Sequence, residues 1–138
     1  MDILYFGNSP FGIPSLDKIL CSKHKLLGVV TNPPKKSGRG RKEKITPIHE
    51  WGDVNNIPTY LKDDINQNSF IEQIKSLNAD LFIVIAYKIL PPNIFNIPKF
   101  GTMNLHASIL PNLRGAAPIQ RAILNGDKET GVTTFLIN

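Results

Sequence analysis

The sequence predicts an α/β fold, an open and mostly parallel sheet with helices on both faces. Two observations carry that prediction. Short apolar runs at Ile3–Phe6, Leu26–Thr31 and Leu81–Ala86 alternate with stretches whose apolar residues recur at helical spacing, the pattern of strands joined by right-handed helical crossovers. The run Leu81–Ala86, LFIVIA, is apolar on both alternating faces, as a central strand covered by helices on each side should be.

Each element follows from local composition. Ile3–Phe6 is closed by Gly7-Asn8-Ser9-Pro10, and Ile13, Leu16, Ile19 and Leu20 then repeat at helical spacing, so a strand turns into a helix. Leu26–Thr31 is a second buried strand, stopped by Asn32-Pro33-Pro34. Lys35 to Lys44 has no periodicity and reads as a mobile loop. Pro47 opens a short helix, PIHEWGDV, because proline suits the first helical turn. Ile57–Leu61 is a brief strand, and Phe70, Ile71, Ile74 and Leu77 mark an amphipathic helix. After Leu81–Ala86, the prolines at 91, 92 and 98 break the chain until a strand over Thr102–His106. A helix over Pro118–Asn125 and a strand over Gly131–Ile137 complete the pattern. Repeats, low-complexity segments and linkers are missing, so residues 1–138 read as one domain. Its last strand has no covering element after it, and the domain is expected to be incomplete at its C-terminus.

Composition narrows the class. With 41% hydrophobic and 20% charged residues the chain is ordinary for a globular protein, and Leu81–Tyr87, its longest apolar run, is far too short to span a bilayer. The N-terminus, MDILYFG, lacks the basic start and long apolar stretch of a secretory signal. A soluble cytoplasmic protein without membrane contact, acting as a monomer, is expected. A lone cysteine, Cys21, excludes an internal disulfide and any multi-cysteine zinc site, and its apolar helical setting suggests a buried, inert thiol. Net charge is +5, and Lys35 to Lys44 accounts for all of it: six Lys or Arg stand there against Glu43, while the rest of the chain balances ten against ten. An anionic partner should meet that decapeptide.

Among candidate sites, the turn GNSPFG has glycines at 7 and 12 and so fails the G-x-G-x-x-G spacing of a dinucleotide loop. It reads as a tight turn and helix start. His24 and His49 stand alone in polar surroundings and read as surface or capping histidines, and no metal site is expected. Asn104 and His106 differ. A strand has period 2, which sends both to one face at the C-terminal end of Thr102–His106, where open parallel sheets keep their sites. One explanation is a polar strand end bonding nearby backbone. The other is chemical: an amide donates to an oxygen that becomes negative, and an imidazole moves protons near neutral pH. With no Ser or Cys nucleophile beside them, attack by a bound substrate is favoured over a covalent enzyme intermediate. In KKSGRGRKEK, Gly38 and Gly40 alternate with Arg39 and Arg41, a flexible backbone bearing fork-shaped donors for phosphate. A solvated charge run explains the same residues without a ligand.

Three segments together resemble the methionyl-tRNA formyltransferase family: Asn104-x-His106-x-Ser108-Ile-Leu-Pro111, Arg114-Gly-Ala-Ala-Pro-Ile-Gln120, and Gly126-Asp-x-Glu-Thr-Gly-Val-Thr133. The Phe6–Phe11 turn, the Gly38-Arg39-Gly40 loop and Ala86-Tyr87 followed by Ile89-Leu90-Pro91 extend the match. The resemblance implies a Rossmann-like formyltransferase fold and transfer of a formyl group from 10-formyltetrahydrofolate, with no metal, to the α-amine of methionine on initiator tRNA. It implies that Asn104 holds the developing oxyanion and His106 manages protons. It assigns Ser108, Ile109, Leu110 and Pro111 to folate binding, and Arg39, Arg41 and Lys42 to tRNA. A third catalytic residue, an Asp, is expected a few residues beyond Asn138, and a C-terminal barrel-like domain after it, so formyl transfer by residues 1–138 alone should be impaired. Two other classes stay open: a non-catalytic RNA- or folate-binding fragment, and a sugar-nucleotide formyltransferase. The latter group shares Asn-x-His but usually lacks the basic Gly-Arg-Gly loop and carries a bulky or basic residue in place of Ala116.

Overall fold

The computed structural model describes residues 1–37 and 42–138, with Ser37 and Lys42 described in their backbone only. A six-stranded sheet runs β5-β2-β1-β6-β7-β8, where β1 is Asp2–Gly7, β2 Lys25–Thr31, β5 Thr59–Leu61, β6 Leu81–Ile85, β7 Thr102–His106 and β8 Thr133–Leu136. All pairings are parallel except that of β7 with β8. The expected α/β architecture is therefore present, with one antiparallel strand at its edge.

Alternation along the strands sorts the core into two layers. Leu4, Phe6, Val30, Phe82 and Val84 pack on one side with Phe70, Ile71 and Ile74 of α3 (Asn68–Ser76) and Ile94 of α4 (Pro92–Phe95). Ile3, Tyr5, Val29, Ile83 and Ile85 pack on the other with Leu16 of α1 (Ile13–Leu20) and Ile48 and Trp51 of α2 (Pro47–Val54). Helices thus cover both faces, and α2 is held by two side-chain hydrogen bonds. Thr46 caps α2 by accepting from the His49 N–H at 3.1 Å, and Trp51 Nε1 donates to Asp17 Oδ1 at 2.8 Å, tying α2 to α1.

The GNSPFG turn shows why its glycines stand where they do. A Cβ on Gly12 would lie 1.7 Å from the Tyr5 hydroxyl oxygen, and one on Gly7 2.6 Å from it. Both positions let the backbone close over a buried tyrosine, a packing role that needs no phosphate.

Four expectations are corrected. The basic segment is not an irregular loop throughout, because β3 (Lys35–Ser37) pairs antiparallel with β4 (Lys42–Lys44) as a two-stranded ribbon. The proline-rich break holds the short helix α4, started by Pro92 in its first turn. β6 stops at Ile85, since Ala86 takes a left-handed φ of 51°. Cys21 is exposed, because α1 ends one residue earlier and leaves it at the C-cap beyond the buried face. Among the described residues no helix is long and apolar enough to cross a membrane.

Candidate active site

Sheet order places the site. The chain leaves β1 for β2 on one side and later enters β6 on its other side, so the connections diverge between β1 and β6 and open a crevice at the strands' C-terminal ends. A cleft of about 910 Å³ lies there, a size suited to a small-molecule ligand. Ser9 and Phe11 from the turn after β1 form one wall, Ala86 to Leu90 after β6 another. Asn104 and His106 of β7 line it too, with Arg114–Gln120 at the start of α5 (Pro118–Asn125) and Phe135 of β8 closing the far side.

Asn104 lies beside Val84 on one flank and Phe135 on the other, and His106 opposite Thr133. Both side chains are half-buried, on the face that carries Phe82 and Val84. The Asn104 carboxamide bonds no described protein group, whereas His106 Nε2 lies 3.0 Å from the carbonyl of Leu113. A carbonyl only accepts, so Nε2 is the donor and, in the neutral ring, Nδ1 keeps the free lone pair. The charged side chains lining the cleft are Lys88 and Arg114, and among its described residues there is no carboxylate. Two cations disfavour a nearby ammonium and favour a nearby neutral amine or an oxyanion. Amide donor, imidazole acceptor and positive surroundings together suit attack of an amine on a carbonyl carbon.

Tyr87 adds an unpartnered group. Its hydroxyl is buried without a hydrogen bond, and burial, with the charge of Asp63 second, pushes its pKa up to about 12. The phenol stays protonated at neutral pH, its hydroxyl sealed from solvent while other atoms of the residue line the cleft. Asp63 also receives the ribbon: Lys35 Nζ lies 3.7 Å from its carboxylate, and Lys88 Nζ donates to its carbonyl. The root of the basic ribbon and the wall of the cleft therefore converge on one residue.

The residues singled out in the sequence fall as follows. Asn104, His106 and Leu110 line the cleft. Ser108 is fully buried, its hydroxyl donating to the Asn112 carbonyl at 2.7 Å. Ile109 is exposed and borders a second, shallower groove with Asn112 and Asp127, and Pro111, whose peptide bond with Leu110 is cis, is exposed. Arg39 and Arg41 lie outside the described residues. Lys42 begins β4, and its side chain lies outside the described part. Sequence reasoning gave no role to Tyr87, Lys88 or Phe135. For the first two a signal was available: they directly follow the most apolar strand, at the end where such sheets keep their sites.

Comparison with known proteins agrees with this arrangement. The formyl transferase family model matches residues 1–138. A methionyl-tRNA formyltransferase of Clostridioides difficile is 45% identical over 139 residues, covering 100% of this chain and 45% of that protein. One from Sulfurihydrogenibium sp. is 48% identical over 134 residues, covering 96% of this chain and 43% of that protein. The chain thus spans less than half the length of these curated relatives. A phosphoribosylglycinamide formyltransferase structure from Bacillus halodurans superposes with a TM-score of 0.75 at 19% identity, over 100% of this chain and 72% of that one, and shares the fold. Cleft, sheet order and family match converge: the chain belongs to the formyl transferase family.

Proposed function

We propose that residues 1–138 belong to the formyltransferase catalytic domain of an enzyme that moves a formyl group from 10-formyltetrahydrofolate to the α-amine of methionyl initiator tRNA. The observation that carries this reading is the shared placement of Asn104 and His106 in one cleft at the C-terminal end of β7. Asn104 donates to the formyl oxygen as negative charge develops there. His106 takes the proton from the attacking amine and returns it toward the leaving nitrogen. Lys88 and Arg114 line the same cleft, and positive charge there favours the neutral amine and the oxyanion. The folate donor supplies the one-carbon group. Its fit rests on the cleft volume and the apolar Leu90 and Phe135 walls, with Leu110 as the member of the expected folate segment at the cleft. Lys42, Arg39 and Arg41 serve the tRNA, and Lys35, on the strand paired with that of Lys42, meets Asp63. The reading places the protein in the cytoplasm, with charged tRNA.

The test is formyl-methionine formation from a 10-formyltetrahydrofolate donor and charged initiator tRNA, in a chain continued through the Asp expected past Asn138. Product is expected. Formylation of an amino sugar with indifference to tRNA would replace this reading with the sugar-nucleotide one. Absence of carboxylates from the described cleft favours a second reading, a fragment that binds folate or RNA without catalysis. Salt-sensitive tRNA binding by residues 1–138 with no product from the continued chain would select it.

A further inference from the structure

We propose that Leu113 is a positioning residue for His106, its left-handed backbone aiming the carbonyl that decides which ring nitrogen carries the proton. The inference deepens the reading above and rests on His106 as the proton carrier. Leu113 has a φ of 54°, a conformation that costs a branched, apolar residue without a local side-chain hydrogen bond to offset it. Such a residue persists only where its surroundings impose the conformation.

The surroundings are explicit. Three consecutive carbonyls are each taken by a side chain: Asn112 O accepts from Ser108 Oγ at 2.7 Å, Leu113 O from His106 Nε2 at 3.0 Å, and Arg114 O from Arg121 Nη1 at 2.7 Å. Ser108 is itself clamped, since its carbonyl accepts from Thr133 Oγ1 at 2.7 Å and that hydroxyl accepts from Leu110 N at 3.1 Å. With the carbonyls on both sides of Leu113 fixed, its own turns toward His106. β8 and α5 thereby help to fix the carbonyl that meets the imidazole. Ser108 gains a role that its burial allows, holding the loop.

The experiment is ¹⁵N NMR of the histidine rings in the 138-residue chain, with the His106 resonances identified by their loss in His106→Gln. No formyl donor is needed, so failure of the functional reading leaves this measurement intact. The native chain should show one neutral tautomer with the proton on Nε2, and a slowly exchanging Nε2–H. Leu113→Pro cannot adopt a positive φ and should give mixed tautomers and about tenfold faster exchange of that proton, the scale of one lost hydrogen bond. Leu113→Gly adopts it freely and should keep the native ring spectrum. An unchanged spectrum in the proline variant, or a proline-like spectrum in the glycine variant, overturns the proposal. Should amide spectra show the proline variant unfolded, Ser108→Ala replaces it: faster Nε2–H exchange in a folded protein supports the proposal, and native exchange overturns it.

Discussion

Phe82 on β6 is fully buried, whereas Phe135 on β8, two strands away in the same sheet, is 40% exposed. The contrast extends to the two halves around them. β2, β1 and β6 are sealed by helices on both faces, and Phe6 and Phe82 pack with ring centroids 5.1 Å apart. β7, β8 and α5 are thinly covered: α5 buries Ala122 while Leu124 is 84% exposed, and the loop before it holds Leu113 and Ala117 at positive φ. Close packing concentrates stability in the first half. The second half keeps its polar groups accessible and its backbone constrained, which chemistry requires.

If that division holds, substitutions in the open half should remove function without stability. In the continued chain, His106→Ala or Asn104→Ala is expected to lower formyl transfer by about 10²–10⁴-fold, the usual range for a lost acid–base or oxyanion element. Half-burial of both side chains limits the change in Tm. A large fall in Tm for either variant would break the comparison. In the closed half the reverse applies: Phe82→Ala should cost about 3–5 kcal/mol by urea denaturation, from lost burial plus a cavity, while Phe135→Ala should cost only about 1–2 kcal/mol because that residue is already partly in water. Equal costs for the two phenylalanines would end the distinction.

The same division decided what could be read from the sequence. β1, β2 and β6 are uniform apolar runs because they are enclosed, and enclosure writes itself into every residue. Asn104 and His106 were legible because period 2 puts them on one face whatever lies opposite. The partners of His106 were not, since the left-handed turn at Leu113 is imposed by Ser108 and Arg121 from elsewhere, and leucine carries no sign of it. Ribbon residues 35–37 and 42–44 are mostly charged, so no alternation marked them as strands. Helix α4 is four residues long and lies among prolines that read as breaks. Tyr87 and Phe135 meet at the cleft only because β6 and β8 flank β7, a fact of topology that spacing does not encode.

The ribbon tests a boundary of the comparison, since it springs from the sealed strand β2 yet carries the charge for an anionic partner. Replacing Arg39, Arg41 and Lys42 with Gln should weaken tRNA binding and reduce the slope of log affinity against log salt by about 2 to 3, one contact each. Stability should stay within about 0.5 kcal/mol, the size expected of residues that serve binding and not packing. The Lys35–Asp63 pair, with both side chains about two-thirds exposed, adds little to stability by itself.

The smallest expected effect concerns Tyr87, which belongs to both halves: its ring packs 5.8 Å from Phe6 in the sealed core, and the residue also lines the cleft. Burial raises its pKa from 10.0 to about 12, so the folded state keeps a proton that the unfolded state begins to lose near pH 10. Above that pH the unfolded chain binds fewer protons than the folded one, and stability falls as pH rises. The contribution is complete below pH 10 and lost by about pH 12. Tyr87→Phe removes this titration and also a buried hydroxyl without a partner, so at pH 7 the variant should be as stable as the native chain or slightly more so, and its alkaline decline should be shallower. Tyr5 is raised in the same direction by burial and preserves part of that decline in the variant. If Tyr87→Phe instead destabilises the protein at pH 7, the hydroxyl has a partner, and Tyr87 belongs with the positioned polar groups of the cleft rather than with the core.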